Sequence, residues 1–377
     1  MKFLFVCGGS AGHINPAIAI AEEMRIKLPD SDILFVGAGK ELEKRLVPAA
    51  GFKLVNIKMS GLRRGFSVRD IFHNMKTAKN LITASFKSAK LLKSYKPDAI
   101  IGTGGFICYP VIKKAARYLI PSFILEPNAH PGLTVKMLSA IVDKVFVTYK
   151  GLEDRYKRPE RVVYTGTPLK KEFFSIELVT GDEKREKPLV VSYWGSVGAV
   201  NMNKKILDFI ERNSREHRFD HIHATGISAS AERMKEDLLK MGIPEVKAPS
   251  IDIREYIDDM PRVMSSASIV LARSGASTIA ELTAMGKPAV LIPSPNVTEN
   301  HQEENAKQLQ NAGGAIMIRE NECTGETLYN TVVSMLEDNK ELERMSELQK
   351  SLSVHDAAAR IVEIVLKCST GNAPAVS

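Results

Sequence analysis

Short apolar runs alternate with segments of helical period along the 377 residues, and most of these runs stop at glycine. The opening run, over 2–7, is apolar at consecutive rather than alternate positions, the mark of a strand covered on both faces. It ends at Gly8-Gly9-Ser10-Ala11-Gly12-His13, after which Ile14, Ala17, Ile18, Ala21 and Met24 recur at helical spacing. The same succession predicts strands over 32–36, 54–58, 98–101, 123–125 and 144–148. A polar, charge-mixed stretch over 172–187 interrupts the series. It restarts over 189–193, 221–225, 246–249 and 269–271, with 289–293 as the last clear strand. A long helical pattern covers 67–96 and an amphipathic one 355–367, and 371–377 reads as a frayed tail. Strands alternating with helices, joined by glycine turns at strand ends, predict an α/β protein with two doubly wound parallel sheets of similar plan.

The turns carry the candidate chemistry. A helix that starts straight after a strand points unpaired N–H groups and the positive end of its dipole into the crevice, a place that suits a diphosphate. Such starts follow Gly8–His13, Gly102-Thr103-Gly104-Gly105-Phe106 and Trp194-Gly195-Ser196-Val197-Gly198-Ala199. The most telling is Ala272-Arg273-Ser274-Gly275-Ala276-Ser277-Thr278-Ile279-Ala280-Glu281-Leu282. Here a glycine and three hydroxyl residues separate strand from helix. Arg273 precedes them, and Glu281 follows about two turns in, where a carboxylate can accept from sugar hydroxyls. An ordinary capped turn looks the same, so it is the repetition of the device that favours a ligand. His13, at the mouth of the first glycine turn, is a candidate general base, although a lone histidine is more often structural. Pro127 and Pro131 fix the loop after 123–125, which makes Glu126 and Asn128 candidates for substrate contact.

Length and charge refine this picture. A chain of this size needs two cores. The expected division is 1–165 and 166–354, with the helix over about 355–368 packing back on the first part. Four scattered cysteines, Cys7, Cys108, Cys323 and Cys368, argue against a disulfide framework or a zinc site. No signal peptide is expected, because the first apolar run is too short. No spanning helix is expected either, because the apolar region 99–125 is broken by Lys113, Lys114 and Arg117. Residues 1–165 hold 27 Lys/Arg against 13 Asp/Glu, whereas 166–377 hold 25 against 31. The first half therefore suits an anionic partner. Within it, 67–96 interleaves Arg69, Lys76, Lys79, Lys87, Lys90, Lys93 and Lys96 with Ile71, Phe72, Met75, Leu81, Ile82, Phe86, Leu91 and Leu92. That face is either solvated or laid on an anionic bilayer.

With these motifs placed, the sequence resembles the MurG family over nearly its whole length. These are the UDP-N-acetylglucosamine:N-acetylmuramyl-(pentapeptide)-pyrophosphoryl-undecaprenol N-acetylglucosaminyltransferases of peptidoglycan synthesis. The resemblance rests on G-G-S-A-G-H at Gly8, G-T-G-G-F at Gly102, E-P-N-A-x-P-G-L at Glu126, G-T-P-L-K at Gly166, W-G-S-V-G-A at Trp194, Y-I-D-D-M at Tyr256, A-R-S-G-A-S-T-I-A-E at Ala272 and N-H-Q-E-E-N-A at Asn300. It implies the GT-B fold, two Rossmann-like domains facing across a cleft. It also implies an inverting transfer, with neither metal nor cofactor, from UDP-N-acetylglucosamine to the muramyl sugar of lipid I.

By the same resemblance His13 would be the base, and Ser10, Ala11 and Gly12 would line the donor sugar and acceptor pyrophosphate. Gly104, Gly105 and Glu126 would belong to acceptor-side loops, with Asn128 on the N-acetylglucosamine. Lys170 and Ser196 would serve the donor, and Ile257 would pair the uracil through its backbone. Arg273, Ala276, Ser277, Thr278, Ile279 and Ala280 would hold the diphosphate, Glu281 the ribose and Gln302 sugar hydroxyls. The implied partners are UDP-N-acetylglucosamine, lipid I and an anionic membrane, without nucleic acid, and the implied place is the cytoplasmic face of the plasma membrane as a peripheral protein. Ser10-Ala11 stands where the family usually has Thr-Gly, Trp194 where it has Gly, Lys170 where it has Arg and Leu125 where it has His. These departures bear on the acceptor. They leave open a diacylglycerol glycosyltransferase, a non-catalytic UDP-sugar-binding protein and an epimerase on the same fold.

Overall fold

A computed structural model describes residues 1–61, 67–175, 186–243, 250–297 and 300–370. The chain divides into two compact units, Met1–Lys170 with Asp356–Ser377, and Lys171–His355.

The first unit is built on seven parallel strands: β1 (Lys2–Cys7), β2 (Asp32–Gly37), β3 (Lys53–Asn56), β4 (Ala99–Gly104), β5 (Ser122–Glu126), β6 (Lys144–Val147) and β7 (Val162–Tyr164). They lie in the order β3-β2-β1-β4-β5-β6-β7. The consecutive apolar residues of β1 are explained by two layers. Phe3, Phe5 and Cys7 pack with Ile14, Ile18 and Ala21 on one face of the sheet. Leu4 and Val6 pack with Val111, Ile112 and Leu138 on the other. The helices are α1 (Ala11–Lys27), α2 (Glu41–Ala49), α3 (Val68–Tyr95), α4 (Cys108–Arg117) and α5 (Leu133–Leu138). Ser67 caps α3 by accepting from the Asp70 N–H.

The second unit begins with α6 (Glu172–Ser175) and holds six parallel strands: β8 (Leu189–Tyr193), β9 (Asp220–Ala224), β10 (Ile251–Arg254), β11 (Ile269–Ala272), β12 (Ala289–Leu291) and β13 (Ala315–Met317). Their order is β10-β9-β8-β11-β12-β13. Its other helices are α7 (Val200–Glu216), α8 (Ala231–Lys240), α9 (Met260–Ser265), α10 (Ala276–Met285), α11 (His301–Asn311), α12 (Gly325–Glu337) and α13 (Asn339–Leu352). The chain then returns to the first unit as α14 (Ala357–Ser369), whose Ile361, Val362 and Val365 are fully buried in the β1 core.

The doubly wound expectation holds in both units, with three corrections at the edges. The sheet of the second unit does not end at β12, because β13 pairs with it in parallel. Its outer neighbour on the other side is β10, over 251–254, while the strand expected over 246–249 lies outside the described residues. β7, which closes the first sheet, was not expected at all. β7 and β13 are apolar but only three residues long and incompletely covered, too short to mark a strand by themselves. In β10, Ile251-Asp252-Ile253-Arg254 alternates apolar with charged residues. The units divide after Lys170 rather than at 165/166. The N–H groups of Thr165 and Gly166 both donate to the Val147 carbonyl, at 3.0 and 3.2 Å, and hold that segment on the first sheet.

In each sheet the strand order reverses beside the first strand of the unit, between β1 and β4 and again between β8 and β11. Ligands of open α/β sheets bind outside the carboxyl ends of the strands at such switch points. The glycine turns at Gly8 and Gly104 lie at the first, and those at Gly195 and Gly275 at the second.

Candidate functional site

At the first switch point the turn after β1 is held from several sides. Gly9 takes φ +95°, which only glycine adopts without strain, and Ser10 then caps α1 in an extended conformation. The His13 N–H donates to the Ser10 carbonyl, and Thr103 Oγ1, from β4, donates to the His13 carbonyl at 2.6 Å. His13 Nδ1 lies 2.9 Å from the Gly8 carbonyl oxygen. A carbonyl can only accept, so Nδ1 carries the proton and Nε2 is the basic nitrogen. The imidazole lies against Gly104, where a Cβ would come within 2.6 Å of Nε2 and 2.3 Å of Cδ2. Gly105 does the same service for Gly8, whose carbonyl oxygen a Cβ would meet at 2.5 Å. The glycines of two loops thus make room for one imidazole and the peptide that orients it.

In the loop after β5, Glu126 is buried and organises its neighbours. Its Oε1 accepts from the Asn128 backbone N–H (3.0 Å) and side-chain Nδ2 (2.9 Å), and its Oε2 accepts from Gly132 N–H (2.8 Å). Burial raises its pKa, against the lowering effect of those donors and of Lys136. Lys170 lies at the end of this unit, half-buried.

At the second switch point α10 starts from Gly275, with no side chain capping it and no acid in its first turn. Its first N–H groups belong to Ala276, Ser277 and Thr278, which is the arrangement an anion needs. Below them Ser274 is fully buried. Its hydroxyl donates to the Gln302 carbonyl (2.7 Å), and its own carbonyl accepts from Asn305 Nδ2 (3.2 Å). Gln302 Oε1 accepts the Ser294 N–H at 2.8 Å, which fixes the amide with Nε2 as its donor. Ala280 and Glu281 are half-buried on α10, and Ile279 is buried. Glu281 lies near Tyr193, the last residue of β8, whose phenol is held well above its usual pKa by burial first and then by the Glu281 charge.

In the neighbouring turn Gly195 and Gly198 take positive φ, and Gly198 packs so closely on the next loop that a Cβ would meet the Thr225 oxygen at 2.1 Å. The Ser196 carbonyl accepts the Ile227 N–H at 3.2 Å. Ile257, buried, lies two residues after Glu255, whose carbonyl accepts the Gly226 N–H at 2.9 Å.

Residues 3–147 match the glycosyltransferase family 28 N-terminal domain, and residues 190–361 match the family 28 C-terminal domain. A protein of Acetivibrio thermocellus named UDP-N-acetylglucosamine--N-acetylmuramyl-(pentapeptide) pyrophosphoryl-undecaprenol N-acetylglucosamine transferase is 40% identical over 369 residues, 97% of each chain. One of the same name from Listeria monocytogenes is 36% identical over 376 residues, 97% of this chain and 99% of that one. This chain belongs to the MurG family of glycosyltransferases. The fold agrees. Acinetobacter baumannii MurG superposes with a TM-score of 0.71 at 22% identity, covering 97% of this chain and 99% of that one. A UDP-GlcNAc 2-epimerase from Neisseria meningitidis bound to UDP-GlcNAc does so at 0.67 and 16%, covering 97% and 100%.

Two departures from the MurG pattern are harmless to the backbone of the turns. The left-handed positions fall on Gly9 and Gly195, not on Ala11 or Trp194. The Trp194 side chain lies in the core with Val190, Met202 and Leu271. Arg273, expected to face the diphosphate, has other partners. Its Nη1 donates to the Ile292 and Pro293 carbonyls (3.0 and 3.1 Å), and its Nη2 lies 2.6 Å from Glu320 Oε2. It ties the ends of β11 and β12 together. Glu126, expected in an acceptor-side loop, accepts from Asn128 and Gly132 of that loop and so positions Asn128.

Sequence reasoning passed over Glu43, which is fully buried and accepts from three backbone N–H groups, one of them in the first glycine turn. A signal was present. An acid at the third position of a helix, straight after a Gly-x-Gly turn, has the reach to accept from the backbone before the helix.

Proposed function

We propose that the chain transfers N-acetylglucosamine from UDP-N-acetylglucosamine to the muramyl sugar of lipid I, giving lipid II, with inversion and without a metal ion. The likeness to proteins named for that transfer, at 36–40% identity over 97% of the chain, carries this reading. The acceptor hydroxyl oxygen attacks the anomeric carbon, whose bond to the diphosphate oxygen breaks, and UDP departs with that electron pair. The hydroxyl proton passes to His13 Nε2. The negative charge that grows on the diphosphate meets the N–H groups of Ala276, Ser277 and Thr278, which are already oriented and need no rearrangement. Ser196 adds to them, Glu281 binds the ribose, and the backbone of Ile257 pairs the uracil. Asn128 and Gln302 contact the sugar, with Lys170 beside the donor.

Among the described residues no helix is long and apolar enough to cross a membrane. The lipid-linked acceptor is met at a surface instead. On α3, Phe72, Met75, Ile82 and Phe86 are 61–74% exposed among the exposed Lys76, Lys79, Lys87 and Lys90. Apolar rings and lysines on one helix suit an anionic bilayer through both terms, which supports our reading of a peripheral protein on the cytoplasmic face. Val68 and Ile71 side chains and residues 62–66, including Phe66, lie outside what is described.

The test is transfer of labelled N-acetylglucosamine to a lipid I analogue in the presence of EDTA, with diacylglycerol as a parallel acceptor. Product with lipid I alone supports the reading, whereas product only with diacylglycerol, or donor binding without product, overturns it. His13→Ala should lower turnover by about 10²–10⁴-fold; near-normal turnover would remove His13 as the base.

A further inference from the structure

Four glycines at the ends of three strands, β1, β2 and β4, clear space for a single line of groups in the first unit. A Cβ on Gly8 or Gly37 would fall 2.9 or 2.6 Å from a carboxylate oxygen of Glu43. One on Gly105 would strike the Gly8 carbonyl, and one on Gly104 the His13 ring. The groups so accommodated are a carboxylate, a peptide and an imidazole. Glu43 Oε1 accepts the Gly9 N–H at 3.0 Å, and the Gly8 carbonyl of that same peptide accepts from His13 Nδ1 at 2.9 Å. The other carboxylate oxygen accepts from Gly39 N–H (2.7 Å) and Lys40 N–H (3.0 Å), which locks the side chain from the far side.

A peptide unit is planar, so its N–H and C=O cannot be aimed independently. Fixing the N–H on Glu43 fixes the direction of the carbonyl, and hence the plane and tautomer of the imidazole. Hydrogen bonds in series also polarise one another. A carboxylate at the N–H end makes the carbonyl a stronger acceptor at the other, and this favours the imidazolium that forms when Nε2 takes a proton.

We propose that Glu43 is a positioning residue for His13, acting through the Gly8–Gly9 peptide to hold Nε2 as the basic nitrogen and to raise its basicity. The arrangement does what a carboxylate bonded directly to a histidine does, with one peptide interposed. This inference rests on His13 being the base.

The test compares Glu43→Gln, His13→Ala and the double variant in the intact chain. Gln keeps the shape of Glu but puts an amide in place of the carboxylate. Expected for E43Q is a kcat lower by about 10-fold or more, part of the 10²–10⁴-fold that a positioned base supplies. KM for UDP-N-acetylglucosamine should be unchanged, and the acid limb of the kcat–pH profile should move to lower pH. A role in folding alone would lower the active fraction without moving that limb. In the His13→Ala background E43Q should add nothing. Normal kcat and an unmoved limb in E43Q, while H13A is inactive, would overturn the Glu43 proposal and leave the base in place. An active H13A would overturn the base instead. Should E43Q fail to fold, ¹⁵N-histidine spectra of the unaltered protein decide, with His13 assigned by its loss in H13A: a proton on Nδ1 supports the proposal and one on Nε2 defeats it.

Discussion

A single methyl group at position 104 would test how tightly the first glycine turn is drawn around its histidine. Gly104 has φ +125°, and its missing Cβ would fall within 2.6 Å of His13 Nε2. Gly104→Ala therefore forces either the backbone or the imidazole to move, at a cost of about 1–3 kcal/mol in stability. Turnover should fall by roughly tenfold or more, since a misplaced base loses part of its 10²–10⁴-fold contribution. UDP binding, assigned to the second unit, should be unchanged by calorimetry. A fully active alanine variant would show that the imidazole sits elsewhere during the reaction. Buried histidines in the second sheet make a separate prediction. Ser192 Oγ lies 2.7 Å from both His221 Nε2 and His223 Nδ1. Burial first, and for His221 also the neighbouring His223, holds His221 well below the ordinary value and brings His223 to about 3. Both stay neutral in the folded chain, whereas the unfolded chain binds protons as pH falls through about 6.5. Their contribution is therefore present above that pH and lost below it, by about 1–3 kcal/mol per pH unit for the pair. Urea unfolding at pH 7.5 and pH 5 measures this; equal midpoints would contradict it.

At the scale of elements, α3 separates two faces that the sequence left mingled. Thr77, Ala84, Ser88 and Leu92 are buried, and Phe72, Met75, Ile82 and Phe86 project outward. Replacing Phe72 and Phe86 by serine removes only exposed rings, so folding should be unaffected. Each ring contributes about 1.5–3 kcal/mol when buried, so partition onto anionic vesicles should drop about tenfold or more per ring. Sedimentation of the double variant with vesicles at the affinity of the parent would exclude this face. The two faces also show what the sequence could tell. Most central strands were legible as continuous apolar runs, and the glycine turns after β1, β4, β8 and β11 mark the two switch points. β7, β10 and β13 were not legible: β7 and β13 are only three residues long, and β10 alternates apolar with charged residues. Candidate site residues that sit in or just after a glycine turn, such as His13 and the start of α10, stood out by position. Residues whose partners lie far along the chain did not. Nothing near Arg273 in sequence announces its pairing with Glu320, and Glu43 meets Gly9 only once β1 and β2 lie side by side.

At the scale of the whole molecule, the order of the units along the chain and their composition differ. The second unit is a continuous insert, Lys171–His355, and the first is completed only by the residues that follow it. α14 supplies Ile361, Val362 and Val365 to the core around β1, and Lys27 on α1 pairs with Glu363 at 3.1 Å. The ion pair is exposed enough to add little. The three apolar side chains matter more, at about 5 kcal/mol or more together, a large share of the stability of a domain. Ending the chain at His355 should therefore undo the first unit and spare the second. In calorimetry the parent is expected to show UDP raising the transition of one unit. The truncated chain should keep that UDP-sensitive transition, lose the other below its former temperature, and lose transfer activity while still binding UDP. Retention of both transitions would mean that the first unit is stable without α14; loss of UDP binding would mean that the second unit does not hold the nucleotide by itself.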